Sequence, residues 1–345
     1  MTRVLHLLDD ARLGGVTRGL PDHIRRLTGP FEHEIKVLDT AWRLPSRIDA
    51  DIVVVHFTVN WAKMPFMALL RARLGRRPMI IAEHSYTEAY ENLCVPHRGR
   101  FRTMLRWNFA LADRVVAVSR AQAAWLGRTG VVPPDRLVAI PQALDTAALE
   151  SVPPVQRKPG PLRLGTYGRY VPQKGFDVLI HAMRLVPASV ATLRIGGLGP
   201  DLEALQTAAY GLPHVSIGGK VTDVGGFLRA VDAVVIPSRW EAYGLVSAEA
   251  RAAGRPVLAT RTDGLVEQID PAWGLLCDPQ DPVALARAIQ VMAGSDVQAM
   301  GQKARGSVVG ALDATIAGWR ALLTDVTPRP PQPATAPGAL FARAS

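Results

Sequence analysis

Apolar residues fall along this chain in short runs, separated by longer stretches with helical spacing. Val4 to Leu8, Ile52 to Phe57, Met79 to Ala82, Arg114 to Val118 and Leu137 to Ile140 read as strands in the first half. Leu162 to Thr166, Thr192 to Ile195, His214 to Ile217, Ala233 to Ile236 and Val257 to Ala259 continue the pattern in the second. Between them the helical register recurs, as in Phe176, Leu179, Ile180 and Met183 at i, i+3, i+4 and i+7. Strands alternating with helices predict βαβ units and mainly parallel sheets. The halves are separated by Ser151 to Pro161, rich in proline and poor in pattern, which reads as a linker. The expected class is therefore α/β, with two doubly wound domains facing each other across a cleft. An N-terminal domain spans 1–155 and a C-terminal domain 156–310. A closing helix over 311–326, containing Trp319, could pack back on the first domain. A proline-rich tail over 327–345 lacks the apolar content to form a core. In such sheets ligands bind at the carboxyl ends of the strands.

Size and composition fit this picture. The chain has 345 residues and is 48% hydrophobic, enough for two cores. Its apolar runs, such as Ile52-Val53-Val54-Val55, are far shorter than the roughly 20 residues that span a bilayer. The amino terminus turns acidic at Asp9-Asp10 before a signal-peptide core could develop, which argues against export by that route. Cys94 and Cys277 have neither disulfide nor metal-ligand spacing and suit a reducing cytoplasm. A net charge of +10 favours anionic partners. From Asn92 to Ala112 there are no acids, and Arg98, Arg100, Arg102 and Arg106 lie among Phe101, Leu105, Trp107 and Phe109. As a helix this segment is either a basic amphipathic face for an anionic membrane surface or a solvated surface helix. No nucleic-acid-binding motif accompanies the charge.

Candidate chemistry clusters in three places. Glu241 and Glu249 flank a turn that opens a helix, and Glu249 shares a stripe with Leu245, Ala248 and Ala252. A carboxylate on that stripe needs a hydrogen-bonding partner, structural or ligand. Arg169 and Lys174 occupy a strand-to-helix loop with Gly168 and Gly175. Two cations beside a helix amino terminus suit a pyrophosphate, although surface cations are the commoner occurrence. Gly14-Gly15 follows the first strand and either closes a tight turn or admits a phosphate. His84 follows the Met79 to Ala82 strand, where packing and cleft roles both fit.

Together, Arg169 and Lys174-Gly175, then Glu241 and Glu249 within Pro237 to Val257, strongly resemble the retaining glycosyltransferases of the large group 1 family. Supporting matches are Ile195 to Pro200, Val118-Ser119 with its following helix, Asp263-Gly264 before Glu267, and Gly14-Gly15. The likeness runs from Arg3 to about Leu323, and the joint carboxylate and cation motifs are its specific part. It implies the GT-B fold of two facing Rossmann-like domains, and metal-independent retaining transfer of a hexose from a nucleotide diphosphate sugar, UDP or GDP. The acceptor would be a carbohydrate or lipid-linked molecule in cell-envelope or exopolysaccharide synthesis, and the enzyme cytoplasmic or peripheral on the membrane's inner face.

The resemblance also assigns roles. Arg169 and Lys174 would hold the diphosphate and neutralise the leaving nucleotide. Glu249 would bind the ribose, and Glu241 would stand by the sugar and stabilise its oxocarbenium-like state. The amides of Tyr243, Gly244 and Leu245 would face sugar and phosphate, with Gly14 and Gly15 opposite and His84 contacting the sugar. Two carboxylates near a sugar also suit a hydrolase, but the paired cations point to a phosphate leaving group. A catalytically silent nucleotide- or glycan-binding protein is the alternative from another class, and no Gly-x-Gly-x-x-Gly turn supports an oxidoreductase. Three departures stand out. Ala242 replaces a glycine and restricts positive φ, Pro141-Gln142-Ala143 lacks a hinge glycine, and Pro21 would kink the first helix or move its start to Leu20.

Overall fold

The computed structural model describes residues 1–9, 15–27, 29–38 and 47–327, with backbone alone over 15–18. Gly14 and the proline-rich tail from 328 onward lie outside the described residues. The chain forms two six-stranded sheets, every pairing in them parallel.

The first sheet contains β1 (Thr2–Leu8), β2 (Phe31–Val37), β3 (Ile52–Val55), β4 (Met79–Glu83), β5 (Arg114–Ala117) and β6 (Leu137–Ala139), ordered β2-β1-β3-β4-β5-β6. The second contains β7 (Leu162–Arg169), β8 (Ala191–Leu198), β9 (Val215–Ile217), β10 (Ala233–Ile236), β11 (Val257–Thr260) and β12 (Gly274–Cys277), ordered β12-β11-β10-β7-β8-β9. In that order the direction of strand addition reverses between β7 and β10. A ligand crevice forms at such a switch point, because the loops leaving adjacent strands diverge to opposite faces.

Both sheets are covered on two faces, which is why their strands read as unbroken apolar runs. Val53, Val55, Met79, Ile81 and Val115 pack under Met67, Leu70, Leu105 and Phe109 of the helices Met64–Leu74 and Arg98–Ala110. The alternate residues Val4, Ile52, Val54, Ile80 and Val116 meet Ile316, Trp319, Leu322 and Leu323 of the last helix, Ala311–Val326. The chain thus returns from the second sheet to cover a face of the first. In the second sheet Leu164, Ile195 and Val235 pack against Leu179, Ile180 and Met183, while Val234, Val257 and Ala259 face Phe227, Leu228 and Ala250.

The connection between the sheets is anchored. Val152 and Val155 are buried, and the carbonyls of Val152 and Pro153 accept hydrogen bonds from Arg305 (2.6 Å) and Arg255 (2.7 Å). The first helix, Gly15–Arg26, includes Pro21 in its interior, so Pro21 does not set its start at Leu20.

Candidate active site at the switch point

Two loops meet where the second sheet reverses. After β7 the chain passes through a tight turn, Pro172–Lys174, and Gly175 into the helix Phe176–Met183. After β10 it runs through Pro237 to Gly244 into the helix Leu245–Ala252. The loops are strapped together. The Arg239 amide donates to the Gln173 carbonyl at 2.8 Å, and Gln173 Nε2 donates to the Trp240 carbonyl at 3.1 Å. Arg239 also grips the Asp177 carboxylate through two nitrogens, at 2.9 and 2.6 Å. Gly175 completes the fit, with φ 63° and its α-carbon against the Pro237 carbonyl, where a β-carbon would overlap the oxygen. Only glycine satisfies both conditions without strain.

This strapping brings Lys174 and Glu241 together. Lys174 Nζ lies 2.5 Å from Glu241 Oε2, and Ser238 Oγ donates to the same oxygen at 3.1 Å. Glu241 is 9% exposed, so the pair sits in a largely dry pocket. The Lys174 stem crosses Gly168, where a β-carbon would stand 3.6 Å from Lys174 Cε. Arg169 is exposed at the carboxyl end of β7, and its side chain makes no hydrogen bond or ion pair among the described residues. The two sequence-predicted cations therefore differ: one is held by the first glutamate, the other faces solvent at the mouth of the crevice.

Glu249 is 3% exposed and accepts a 2.7 Å hydrogen bond from the Tyr167 hydroxyl on β7. The partner its apolar stripe demanded thus includes a tyrosine of the protein. At the head of the same helix Gly244 has φ 94°. The amides of Tyr243, Gly244 and Leu245 have no hydrogen-bond partner among the described residues. Unbonded amides at a helix start present a partial positive charge to an anion. Ala242 is not at positive φ, and the left-handed positions fall on Gly244 and on Asp263 (φ 39°).

Asp263 is a site residue whose role local sequence spacing did not reveal. Its Oδ2 accepts the Glu241 amide at 3.1 Å, and its Oδ1 accepts the Ala89 amide, also at 3.1 Å, from the start of the first-sheet helix Glu88–Cys94. Glu267 repeats the device, accepting the Arg120 and Ala121 amides at 2.8 and 3.1 Å at the head of the helix Arg120–Arg128. Burial pushes both carboxyls above their ordinary range, against amide hydrogen bonds that favour the anion. Tyr90 meets Trp240 edge to face at 5.7 Å, and Val118 packs on Ala242, Tyr243 and Leu245. The carboxyl ends of the two sheets are thus closed on each other around Glu241.

His84 lies on the first-sheet side of this closure. Its Nε2 is 3.2 Å from His56 Nδ1, and it borders a cavity of about 30 Å³ with His6, His23, Gln142 and Trp319. No contact joins it to Glu241 or Lys174 among the described residues. Burial, then repulsion from His23, lowers its pKa to about 4, so the ring is neutral at pH 7. The neighbouring Glu83 ends β4, is 2% exposed and accepts the Ser85 and Tyr86 amides at 2.7 and 2.9 Å. Burial nonetheless pushes its carboxyl up to about 7. Gly15 begins the first helix, and Gly14 is outside the described residues.

The basic helix Arg98–Ala110 uses two of its four arginines internally. Arg102 grips buried Glu91 at 2.6 and 3.0 Å, and Arg106 donates to the carbonyls of Gly130 and Thr129. Arg98 and Arg100 remain exposed, and Arg100 lies over the ring of the outward-facing Trp61, which meets the outward-facing Trp107 edge to face. Among the described residues no helix is long and apolar enough to cross a membrane, and no group of three or more His, Cys, Asp or Glu is placed to hold a metal ion.

A family model described as Glycosyltransferase Family 4 matches residues 5–148, and one described as Glycosyl transferases group 1 matches residues 161–294. The phosphatidyl-myo-inositol mannosyltransferase of Mycobacterium leprae is 29% identical over 300 residues, covering 81% of this chain and 76% of that protein. The D-inositol 3-phosphate glycosyltransferase of Xylanimonas cellulosilytica is 32% identical over 219 residues, covering 57% of this chain and 51% of its own, so this chain spans about half of that relative's length. Anabaena HepE, solved in complex with UDP-glucose, superposes with a TM-score of 0.73 at 18% identity, covering 94% of this chain and 100% of that one. With one family model on each sheet and the same two-sheet architecture, the chain belongs to the group 1 glycosyltransferases and has their GT-B fold.

Proposed function

We propose that this chain transfers a hexose, with retention and without a metal ion, from a nucleoside diphosphate sugar to a carbohydrate or lipid-linked acceptor in the synthesis of cell-envelope or exopolysaccharide glycans. The observation that carries this reading is the convergence of Lys174, Glu241 and three unbonded amides, those of Tyr243 to Leu245, at the switch point of the second sheet. A diphosphate there would meet the helix amino terminus and Arg169, and would draw Lys174 away from Glu241. The charge that a departing nucleotide develops is then met by groups already in place. Released from Lys174, the Glu241 carboxylate stands by the sugar and stabilises its cationic transition state, while Glu249, oriented by Tyr167, accepts the ribose hydroxyls. His84 reaches the sugar from the first sheet.

Two similar proteins favour the substrate classes: HepE was solved with UDP-glucose, and the Mycobacterium leprae relative is a phosphatidyl-myo-inositol mannosyltransferase. A lipid-linked acceptor fits action at the inner face of a membrane, where Arg98 and Arg100 with Trp61 and Trp107 would rest on anionic lipid.

The test begins with thermal shift against uridine, guanosine and adenosine diphosphates and their sugars, since ligand binding raises apparent stability. Turnover of the sugar that binds is then followed. Glu241→Ala is expected to abolish transfer and keep nucleotide binding, and Lys174→Ala to weaken both. Near wild-type transfer by Glu241→Ala, or unchanged diphosphate affinity in Lys174→Ala by calorimetry, would refute the respective role. A wild-type chain that binds nucleotide but neither transfers nor slowly hydrolyses any sugar donor would mark a silent binding protein.

A further inference from the structure

The two sheets end in four edge strands, β2 and β6 in the first and β12 and β9 in the second. Three of them are short: β6 and β9 have three residues each and β12 has four. The fourth, β2, runs for seven residues, Phe31-Glu32-His33-Glu34-Ile35-Lys36-Val37, with no proline and in unbroken one-to-one register with β1. A long free edge is a template for another strand, which is why folded proteins keep edges short or interrupted. On this edge Ile35 and Val37 are 39% and 45% exposed. Glu34 and Lys36 are also exposed, and their side chains make no hydrogen bond or ion pair among the described residues.

The backbone determines which groups face outward. The Leu38 amide donates to the Leu8 carbonyl at 2.7 Å, and the Thr2 amide donates to the Pro30 carbonyl at 2.8 Å. The even-numbered residues therefore turn their backbone groups toward β1. In a strand these directions alternate, so the odd-numbered Phe31, His33, Ile35 and Val37 present N–H and C=O away from the sheet. Their amides have no hydrogen-bond partner among the described residues.

This edge is complementary to itself in one register. A second copy related by a two-fold axis pairs antiparallel with the same edge, and outward residues must oppose outward residues. Three registers pair five or more residues of Phe31–Val37, with the axis at His33, at Glu34 or at Ile35. With the axis at His33, Glu32 opposes Glu34 on both sides. With the axis at Glu34, that carboxylate opposes its own copy at the centre. With the axis at Ile35, Glu34 opposes Lys36 of the second copy on both sides, and no like charges meet. The hydrogen-bonded pairs are then Ile35 with Ile35 and His33 with Val37, which leaves Glu34 and Lys36 in the sites where opposing side chains are closest. The exposed Ile35 and Val37 gain cross-strand neighbours in the same step.

We propose that β2 is a self-association edge, at which His33 to Val37 of two copies of this chain pair antiparallel about an axis at Ile35 and join their first sheets into one. The occupant is a second copy because the strand supplies both members of each charged pair. No residue of the candidate active site takes part, so the proposal stands apart from the transferase reading.

The experiment is sedimentation velocity of the full chain over a series of concentrations. A monomer–dimer equilibrium is expected, and a monomer at every concentration overturns the proposal. Lys36→Glu and Glu34→Lys should each raise the dissociation constant on the order of tenfold, because one reversal acts twice across the axis. Combined in one chain, the two reversals exchange the charges and should restore the wild-type value. Glu32→Lys should leave it unchanged, since Glu32 faces Leu38 in this register, whereas weakening by Glu32→Lys would move the axis to Glu34 and overturn the assignment. Ile35→Pro removes the outward N–H at the axis, keeps the bonds to β1 and should dissociate the dimer. A dimer indifferent to the single reversals and to Ile35→Pro, or not restored by the double reversal, lies elsewhere on the molecule and overturns the proposal. Circular dichroism checks each fold, and if Ile35→Pro does not fold, the charge variants at exposed positions decide alone.

Discussion

The register between Lys174 and Glu241 depends on one glycine, and a second glycine provides its control. Gly175 has φ 63° with Pro237 against its α-carbon, and Gly130 has φ 62° with nothing within 4 Å of a built β-carbon. Gly→Ala at either position incurs the same backbone penalty, about 1 to 2 kcal/mol for a left-handed alanine. At Gly175 the new methyl also overlaps the Pro237 carbonyl oxygen and stands 3.1 Å from its carbon. Pro237 and Gly175 each belong to a tightly strapped loop, so the overlap is relieved only by separating the loops by roughly 1 Å, a misplacement that costs active sites on the order of 100-fold. Overpacking of this kind adds about 1 to 3 kcal/mol. Urea unfolding should therefore show Gly175→Ala less stable than Gly130→Ala by about 1 to 3 kcal/mol. Nucleotide diphosphate affinity by calorimetry should fall in Gly175→Ala alone. Equal stability losses and equal affinities in the two variants would refute the claim that this contact sets the geometry of Lys174 and Glu241.

Other outcomes follow from the same structure. Glu267→Ala deprives the amides of Arg120 and Ala121 of their acceptor across the cleft, and should cost about 1 kcal/mol, the usual worth of a helix cap, while raising the radius of gyration of the ligand-free protein in X-ray scattering; an unchanged scattering curve would count against Glu267 as a closure contact. His6 is buried and its pKa is lowered to about 3, so the unfolded chain takes up this proton below pH 6.5 while the folded chain does not, and the stability it lends is lost as pH falls. Glu83, raised to about 7, acts in the opposite sense between its ordinary value of 4.5 and that point. Between pH 6.5 and pH 5 the loss of urea stability in His6→Gln should accordingly be shallower than in the wild type by up to roughly 2 kcal/mol, and parallel curves would dismiss the linkage. Pelleting with anionic liposomes should be salt-sensitive and weakened by Arg98→Ala with Arg100→Ala, whereas no binding at low salt would dispose of membrane association.

The fold was legible because parallel strands buried on both faces leave apolar runs that need no partner to be recognised. All ten runs that suggested strands form them, and β2 and β12 were the two missed. The failure at β2 has a plain cause: only Phe31 of Phe31–Val37 is buried, so an edge strand with His33, Glu34 and Lys36 shows no core pattern. For the same reason the hydrogen-bonded row of His33, His6, His56 and His84 could not be anticipated. Nothing local connects these positions until the strand order β2-β1-β3-β4 places them side by side.

At the site, sequence identified residue types better than pairings. Lys174 and Glu241 were each placed in a strand-to-helix loop, but their 2.5 Å contact arises from Gly175 against Pro237 and from Arg239 on Asp177, residues that spacing alone gives no reason to join. Glu249 posed a question that sequence could state but not answer, since its tyrosine partner lies 82 positions away. Asp263 carries the most consequence among the residues whose role was missed. One of its oxygens holds the Glu241 amide and the other holds the amide of Ala89 on the opposite sheet, so the loop that would meet the sugar and the closure of the cleft share one carboxylate. Opening the cleft therefore removes the Ala89 hydrogen bond from the same carboxylate that holds the Glu241 amide. In a closed site that excludes water, electrostatic interactions are strongest and the donor would be least exposed to hydrolysis. A single aspartate in a left-handed conformation thus links the loop that carries Glu241 to the contact that closes the cleft.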